Sequence, residues 1–150
     1  MLRFIPIPQL SAVWPAVRAH IQRANDKLGE RNTPEEFYHA LRQGLAGLYL
    51  AEEDAGIFIC QKVVELDGTA TCFIWLTVGP VLHNHDKWHR TLESLAQQIG
   101  AVRLRMRSPR KGWERATNGY WKVAEMTYEH ELDITHERIE IHPVARPLAA

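Results

Sequence analysis

Residues Cys72–Arg107 read CFIWLTV, GPVLHNHD, KWHRTLESLAQQIG, AVRLRMR, and this stretch decides the fold. The first block is an unbroken apolar run of strand length, rich in aromatic and β-branched residues. In the third, Trp88, Leu92, Leu95, Ala96 and Ile99 recur at helical spacing, which predicts a helix over Lys87–Ile99 stopped by Gly100. The last block, Ala101–Arg107, alternates as a strand does. Strand, helix and strand in this order make a βαβ crossover with parallel strands. The first amide groups of the crossover helix have no partner inside the helix, so its start is by default an anion site. The connecting loop therefore carries the functional question.

Upstream, Ile57–Leu66 and Thr69–Val78 flank Asp67-Gly68, the signature of a two-residue type I′ hairpin. That turn sets Leu66 opposite Thr69 and Cys72 opposite Val63. One face then carries Ile57, Ile59, Val63, Cys72, Ile74, Leu76 and Val78, and the other Phe58, Cys60, Val64, Phe73 and Trp75. Both faces are apolar, so helices are expected on both sides. Cys60 and Cys72 fall on opposite faces in this register, which excludes a disulfide and predicts buried free thiols.

Nearer the N-terminus, Leu2–Ile7 suits a strand. Leu10, Trp14, Val17, Ile21, Ala24 and Leu28 make a helical stripe, with Gly29 as its stop. Pro15 is expected in the first turn, which puts the helix start between Ser11 and Pro15. Thr33-Pro34-Glu35-Glu36 is a capping box with proline at the first helical position. Phe37, Leu41, Leu45 and Leu48 are expected on the buried side of the helix it opens, and Leu48–Glu52 begins a strand. Downstream, a short helix is predicted around Lys111–Thr117, broken by Asn118-Gly119, and a strand from Trp121 to Leu132. Residues 1–132 read as one α/β domain with a mixed, mostly antiparallel sheet. Residues 133–150 read as an edge strand, Ile134–His142, or a mobile tail that serves assembly. Trp14 and Trp88 are expected in the core, Trp75 on either covered face, and Trp113 and Trp121 in packing roles.

The chain has 150 residues, enough for one core, with 18 basic and 18 acidic side chains and a formal net charge of zero. That balance supplies no global attraction to nucleic acid or to an anionic membrane. No apolar run approaches the roughly 20 residues of a membrane span. The segment MLRFIPIPQL lacks a secretory leader pattern, so a cytoplasmic location is expected.

The element order, strand, two helices, strand, hairpin, helix, strand, short helix, strand, resembles the GNAT superfamily of acyl-CoA N-acyltransferases. Val78-Gly79-Pro80 is similar to the V-x-P that closes the family's fourth strand. LESLAQQIGAVRLRMR looks like its third helix and fifth strand, and Asn118–Leu132 like its closing segment. The early tryptophan and Lys111-Gly112-Trp113 also resemble the short GNAT-like proteins of tailed bacteriophages, which implies a host cytoplasm or a virion as the location.

The resemblance implies a splay between the fourth and fifth strands that seats acetyl-CoA. It also implies a pyrophosphate loop, R/Q-x-x-G-x-G/A, after Val78, which spacing from Pro80 places on His83, Asn84 and Asp86. Both glycines are absent, Asp86 is anionic, and Pro80 lacks an amide donor. A general acid is implied four residues before Gly119, where Arg115 stands, with Tyr120 and Trp113 nearby. For a base, Glu52 and Glu53 are the nearest carboxylates. The expectation is a degenerate acyl-CoA site that requires no cofactor, in a phage structural or accessory protein that associates with itself or with a protein partner. The alternatives are an acetyl-CoA-dependent N-acyltransferase with an atypical loop, and an anion- or nucleic-acid-binding module.

Two further patterns bear on these alternatives. His83, His85 and His89 with Asp86 form H-x-H-D-x-x-H, in which His85 and His89 could share a helix face as zinc ligands do. No further ligand accompanies them at metal spacing, so no metal is expected. Arg103, Arg105 and Arg107 share one strand face. They suit an anion or nucleic-acid contact, or pairing with Glu125, Glu129 and Glu131 of the predicted last strand; the pairing is favoured.

Overall fold

The computed structural model describes residues 2–28, 32–54, 56–108 and 112–132. They form two compact units, divided after Gly112. The first contains a five-stranded sheet in the order β1-β2-β3-β4-β5: β1 Leu2–Ile5, β2 Gly47–Ala51, β3 Ile57–Val64, β4 Ala70–Val78 and β5 Arg103–Met106. Neighbours are antiparallel except β4 and β5, which are parallel and joined by the expected crossover helix, α3 His85–Gln98. The fold is therefore α/β with a mostly antiparallel sheet.

Helices α1 Ile7–Leu28 and α2 Pro34–Arg42 pack on one face. There Leu10, Val17, Ile21 and Phe37 meet Leu48 and Ile59 in a dry cluster. Burial of each such side chain contributes about 1.5–3 kcal/mol. Trp14 packs at the edge of this cluster, its ring 4.8 Å from that of Tyr38. On the other face α3 packs against β4 and β5, burying Trp88, Leu92, Leu95 and Ala96.

The capping box at Thr33 forms as expected. The Thr33 amide donates to Glu36 Oε2 at 2.7 Å, and the Glu36 amide donates to Thr33 Oγ1 at 3.2 Å. Such a cap contributes about 1 kcal/mol. However, α2 ends at Arg42, capped by Gln43, and Gly44 reverses the chain at φ 73°. Leu45 is consequently exposed, and Leu48 is buried from β2 rather than from the helix.

Helix α1 departs from expectation more sharply. It starts at Ile7, with Pro8 in the first turn, and runs through Pro15. Proline at that depth leaves the Ser11 carbonyl without its helical donor. Both Ser11 and Pro15 are exposed, so water can satisfy that carbonyl. The expected stop at Gly29 lies outside the described residues.

The hairpin differs at two points. Its loop has three residues, Leu66-Asp67-Gly68, with the Glu65 amide donating to the Thr69 carbonyl and Gly68 at φ 83°. This is a type I turn closed by a left-handed glycine. Asp67 Oδ1 fixes it by accepting from the Thr69 amide at 2.9 Å and the Thr69 hydroxyl at 2.6 Å. Cys72 therefore stands opposite Lys62, not Val63. Farther along, Ile59 pairs with Leu76 but Cys60 with Ile74, so Trp75 is an extra residue, a β-bulge in β4. The three-residue loop and the bulge together place Cys72 and Ile74 on the same face as Phe58 and Cys60. The separation of the two cysteines onto opposite faces is thus corrected; both are buried free thiols.

In the second unit, α4 Trp113–Ala116 is one turn. Thr117 Oγ1 donates to the Trp113 carbonyl at 2.6 Å and accepts from the Trp121 amide at 3.2 Å. Asn118 and Gly119 follow at φ 51° and 81°. The predicted strand over Trp121–Leu132 does not form: these residues carry no strand, and Val123, Met126, Tyr128 and Leu132 are exposed. Val123, Thr127 and Tyr128 supply β-propensity, but propensity without a buried face does not make a strand. The expected edge strand Ile134–His142 lies outside the described residues.

Candidate functional site

The parallel pairing of β4 with β5 runs from Thr71↔Arg103 to Ile74↔Met106 and stops there. At the next residue β4 bulges at Trp75. Trp75–Val78 therefore continue beyond the end of β5, without a partner strand on that side. The pairing thus ends at the place where the resemblance implies a splay, beside the bulge at Trp75.

Beyond Val78 the chain turns at Gly79, whose φ of 124° suits only glycine. One turn of 3-10 helix, Pro80–His83, then leads to Asn84, the N-cap of α3. Its Oδ1 accepts from the Lys87 amide at 3.1 Å, and its carbonyl from the Trp88 amide at 2.9 Å. Asp86 lies in the first helical turn, where a carboxylate complements the helix dipole. The structure thus brings Val78, His83, Asn84 and Asp86 together at the start of α3. An anion approaching this helix end meets the Asn84 carboxamide on one amide and the Asp86 charge beside it.

The histidines gather on the same turn. The His85 and His89 rings are 6.1 Å apart, and His89 lies 5.1 Å from the Trp88 ring. Burial, and then His85, holds the His89 imidazole below its ordinary range, while Asp86 and Glu93 oppose that shift. Among the described residues no group of three or more His, Cys, Asp or Glu is placed to hold a metal.

Glu52 and Glu53 sit on the 3-10 turn that follows β2, exposed, with Glu53 in the left-handed region at φ 58°. The registers Leu50↔Ile57 and Ile57↔Val78 put that turn at the same end of the sheet as the β4–α3 loop. Tyr120 belongs to the second unit, where it packs edge-on against Trp121 at 5.7 Å. Trp113 and Arg115 lie on α4.

The arginine strand has partners that the sequence reading missed. Arg105 pairs with Glu65 at 3.0 Å, and Arg103 approaches the same carboxylate at 4.0 Å. Thr71, fully buried, donates its hydroxyl to Glu65 at 2.8 Å and accepts from Arg103 at 3.2 Å. Arg107 lies over the Phe73 ring, 5.7 Å from its centroid. The Thr71 hydroxyl, then Arg105 and Arg103, hold the Glu65 carboxyl below its usual range. The expected pairing with Glu125, Glu129 and Glu131 is corrected accordingly, since no strand forms there to carry it. Glu65 reaches the arginines because the three-residue loop turns it toward the face of Thr71.

A cavity of about 420 Å³ lies at the opposite end of the sheet, between Phe4, Ile7, Leu45, Tyr49, Cys60 and Ile99. It is remote from the β4–α3 loop. Among the described residues no helix is long and apolar enough to cross a membrane.

No known protein family matches the chain as a sequence, and no curated protein does. Solved structures do match its fold. A protein described as a probable acetyltransferase superposes with a TM-score of 0.56 at 18% identity, covering 91% of this chain and 99% of its own. A ribosomal-protein-alanine N-acetyltransferase from Brucella melitensis biovar Abortus 2308 gives 0.56 at 14% identity, covering 88% and 99%. An aminoglycoside acetyltransferase from an uncultured soil metagenomic sample, solved with sisomicin, gives 0.57 at 9% identity, covering 90% and 96%. At these identities the likeness establishes the fold, which is that of the GNAT acetyltransferases.

Proposed function

We propose that this acetyltransferase fold serves a structural or accessory role through protein contacts, and that its acyl-CoA site is degenerate. Fold alone leaves function open, so the loop must carry the argument. The supporting observation is the start of α3, where Asn84 Oδ1 holds the Lys87 amide and Asp86 occupies the first turn. A pyrophosphate needs open amides and a backbone it can approach closely. Here a side chain takes one amide, and a carboxylate adds like charge. The residues present do not fit the pyrophosphate of acetyl-CoA. The phage setting, with a host cytoplasm or a virion as the location, rests on the sequence resemblance at Lys111–Trp113.

A second reading is favoured by a different observation, the end of the β4–β5 pairing after Ile74, where the resemblance implies the acyl-CoA seat. It is an acetyl-CoA-dependent N-acyltransferase with an atypical loop, in which Glu52 or Glu53 is the base. The nucleic-acid alternative draws less support, because Arg103 and Arg105 are engaged by Glu65.

Thermal denaturation with a large excess of acetyl-CoA separates the first two readings. Ligand at 100 times its Kd would stabilise the fold by about 2.7 kcal/mol. The expected result is no shift, with a calorimetric Kd no tighter than about 1 mM, roughly −4 kcal/mol. Replacing Asn84 and Asp86 together with glycine is expected to tighten binding. Micromolar affinity in the unaltered protein would establish the second reading instead.

A further inference from the structure

The 420 Å³ cavity lies wholly within the first unit and combines an apolar wall with a few polar groups. Leu10, Leu41 and Leu48 line it and are buried, whereas Phe4, Ile7 and Leu45 line it and stand exposed, at its mouth. Its volume falls within the range of small-molecule sites, about 300–1,000 Å³.

Two polar groups on one sheet face define what it can hold. Gly47 pairs with Cys60, so Gly47, Tyr49, Cys60 and Lys62 alternate onto the same side. Tyr49 is only 9% exposed, yet among the described residues nothing hydrogen-bonds its hydroxyl. A buried phenol ordinarily has a partner. Its ring leans along the strand toward Gly47: a Cβ there would stand 3.0 Å from the ring and 3.6 Å from the hydroxyl, so glycine keeps the space beside the phenol open. The hydroxyl thus approaches the end of the cavity where Lys62 stands, two residues beyond Cys60. No acidic side chain lines the cavity, and Lys62 is its single cation. The Lys62 Nζ lies 3.8 Å from where a Gly100 Cβ would be, at the C-terminal end of α3. The last carbonyls of that helix are already occupied, since the Gly100 amide donates to Gln97 at 3.1 Å and the Ala101 amide to Ala96 at 2.8 Å. Among the described residues no carboxylate pairs with Lys62. Its charge is therefore available to an anion.

We propose that this cavity binds a free aliphatic monocarboxylate of medium chain length, with the tail against Leu10, Leu41 and Leu48 and the carboxylate accepting from the Tyr49 hydroxyl and facing the Lys62 ammonium. A cation would meet Lys62, and a purely apolar solute would leave the phenol without a partner; a carboxylate suits both groups. The site is independent of the acyl-CoA question, because the pairs Ile5↔Leu48 and Gly47↔Cys60 lie at the end of the sheet away from Val78.

The test titrates the full chain, labelled with nitrogen-15, with sodium hexanoate, octanoate and decanoate below their micelle-forming concentrations, and follows amide chemical shifts. Saturable shifts are expected at Phe4, Gly44, Leu45, Gly47, Tyr49 and Lys62, with affinity rising roughly tenfold for each pair of methylenes added. Tyr49→Phe is expected to weaken decanoate about tenfold, as loss of a hydrogen bond to a charged group does. Lys62→Glu is expected to reverse the preference for decanoate over decylammonium. Leu45→Trp, a change at the exposed mouth, is expected to weaken decanoate without lowering the melting temperature. Should a variant not fold, the preference of the unaltered protein for decanoate over decylammonium still decides. Absence of saturable shifts at these residues, equal affinity for the two ions, or an affinity independent of chain length would each overturn the proposal.

Discussion

The two halves of β4 do opposite work. From Ala70 to Ile74 the strand is paired on both sides, with β3 and with β5. From Trp75 to Val78 it keeps β3 but has lost β5, and it runs into the loop that caps α3. The first half is tied by a buried hydroxyl and a shared carboxylate, whereas the second half is open on one side. One strand thus holds the sheet together and also ends without a partner on one side, and a single extra residue marks the change.

Deleting Trp75 is the most severe test of this division. Without the extra residue, Cys60↔Ile74 and Ile59↔Leu76 become consecutive pairs and every side chain keeps its face, so the deletion removes the bulge and the packed Trp75 ring while leaving the register intact. The loss should be that of a packed aromatic side chain, about 3–5 kcal/mol. A cooperative denaturation curve close to that of the unaltered protein would show that the bulge is dispensable.

Ile74→Ala removes a buried side chain at the last paired position and should cost about 2–5 kcal/mol in urea denaturation. A much smaller loss would mean that the paired half is already loose at its end.

Arg105→Glu sets two carboxylates against each other at the hairpin tip and should lower the melting temperature. Adding Glu65→Arg should restore much of it, because the pair is rebuilt in reverse. The same contact predicts a pH dependence. The Glu65 carboxyl is held below its ordinary value in the folded chain, so its contribution is present above the unfolded carboxylate pKa, about 4.5. It is lost as pH falls through the lower folded value. Melting curves between pH 7 and pH 3 should therefore converge for the unaltered protein and Glu65→Gln as the pH drops.

The smallest effect belongs to the open half. Asn84→Ala should cost about 1 kcal/mol through the lost cap, and Asn84→Gly only a few tenths. If both are silent, the hydrogen bond to the Lys87 amide contributes nothing to α3.

Much of the fold was legible because its signals are local. The Thr33 capping box, the stripe of Trp88, Leu92 and Leu95, and the crossover to the arginine strand each lie within a few turns of chain. The bulge was not, for a physical reason. CFIWLTV is apolar throughout, so alternation cannot reveal which residue is the extra one. Pro15 was misread because its tolerance depends on facing solvent, a property of the packed molecule. Glu65 was missed as the arginines' partner because it is 40 residues from Arg105 in sequence and is brought there only by the turn. The strand expected over Trp121–Leu132 does not form because Val123, Met126, Tyr128 and Leu132 stay exposed, and propensity alone does not replace a buried face. Within the candidate site, the loop from Val78 to Asp86 could be located by spacing, whereas the cavity beside Cys60 is assembled from β1, α2, β3 and the end of α3, and no single segment announces it.

The extra residue at Trp75 can also be regarded as a dislocation in the hairpin's hydrogen-bond lattice. Displaced to the tip, it would vanish into a two-residue turn, and Ala70–Ile74 would slide by one step while Ile57↔Val78 stayed where it is. What pins the dislocation is chemistry in the sliding segment. Thr71 would lose Glu65 and Arg103, and Cys72 and Ile74 would leave the face covered by α3. The register at one end of β4 is therefore fixed from the other end, by a turn and a carboxylate far along the strand.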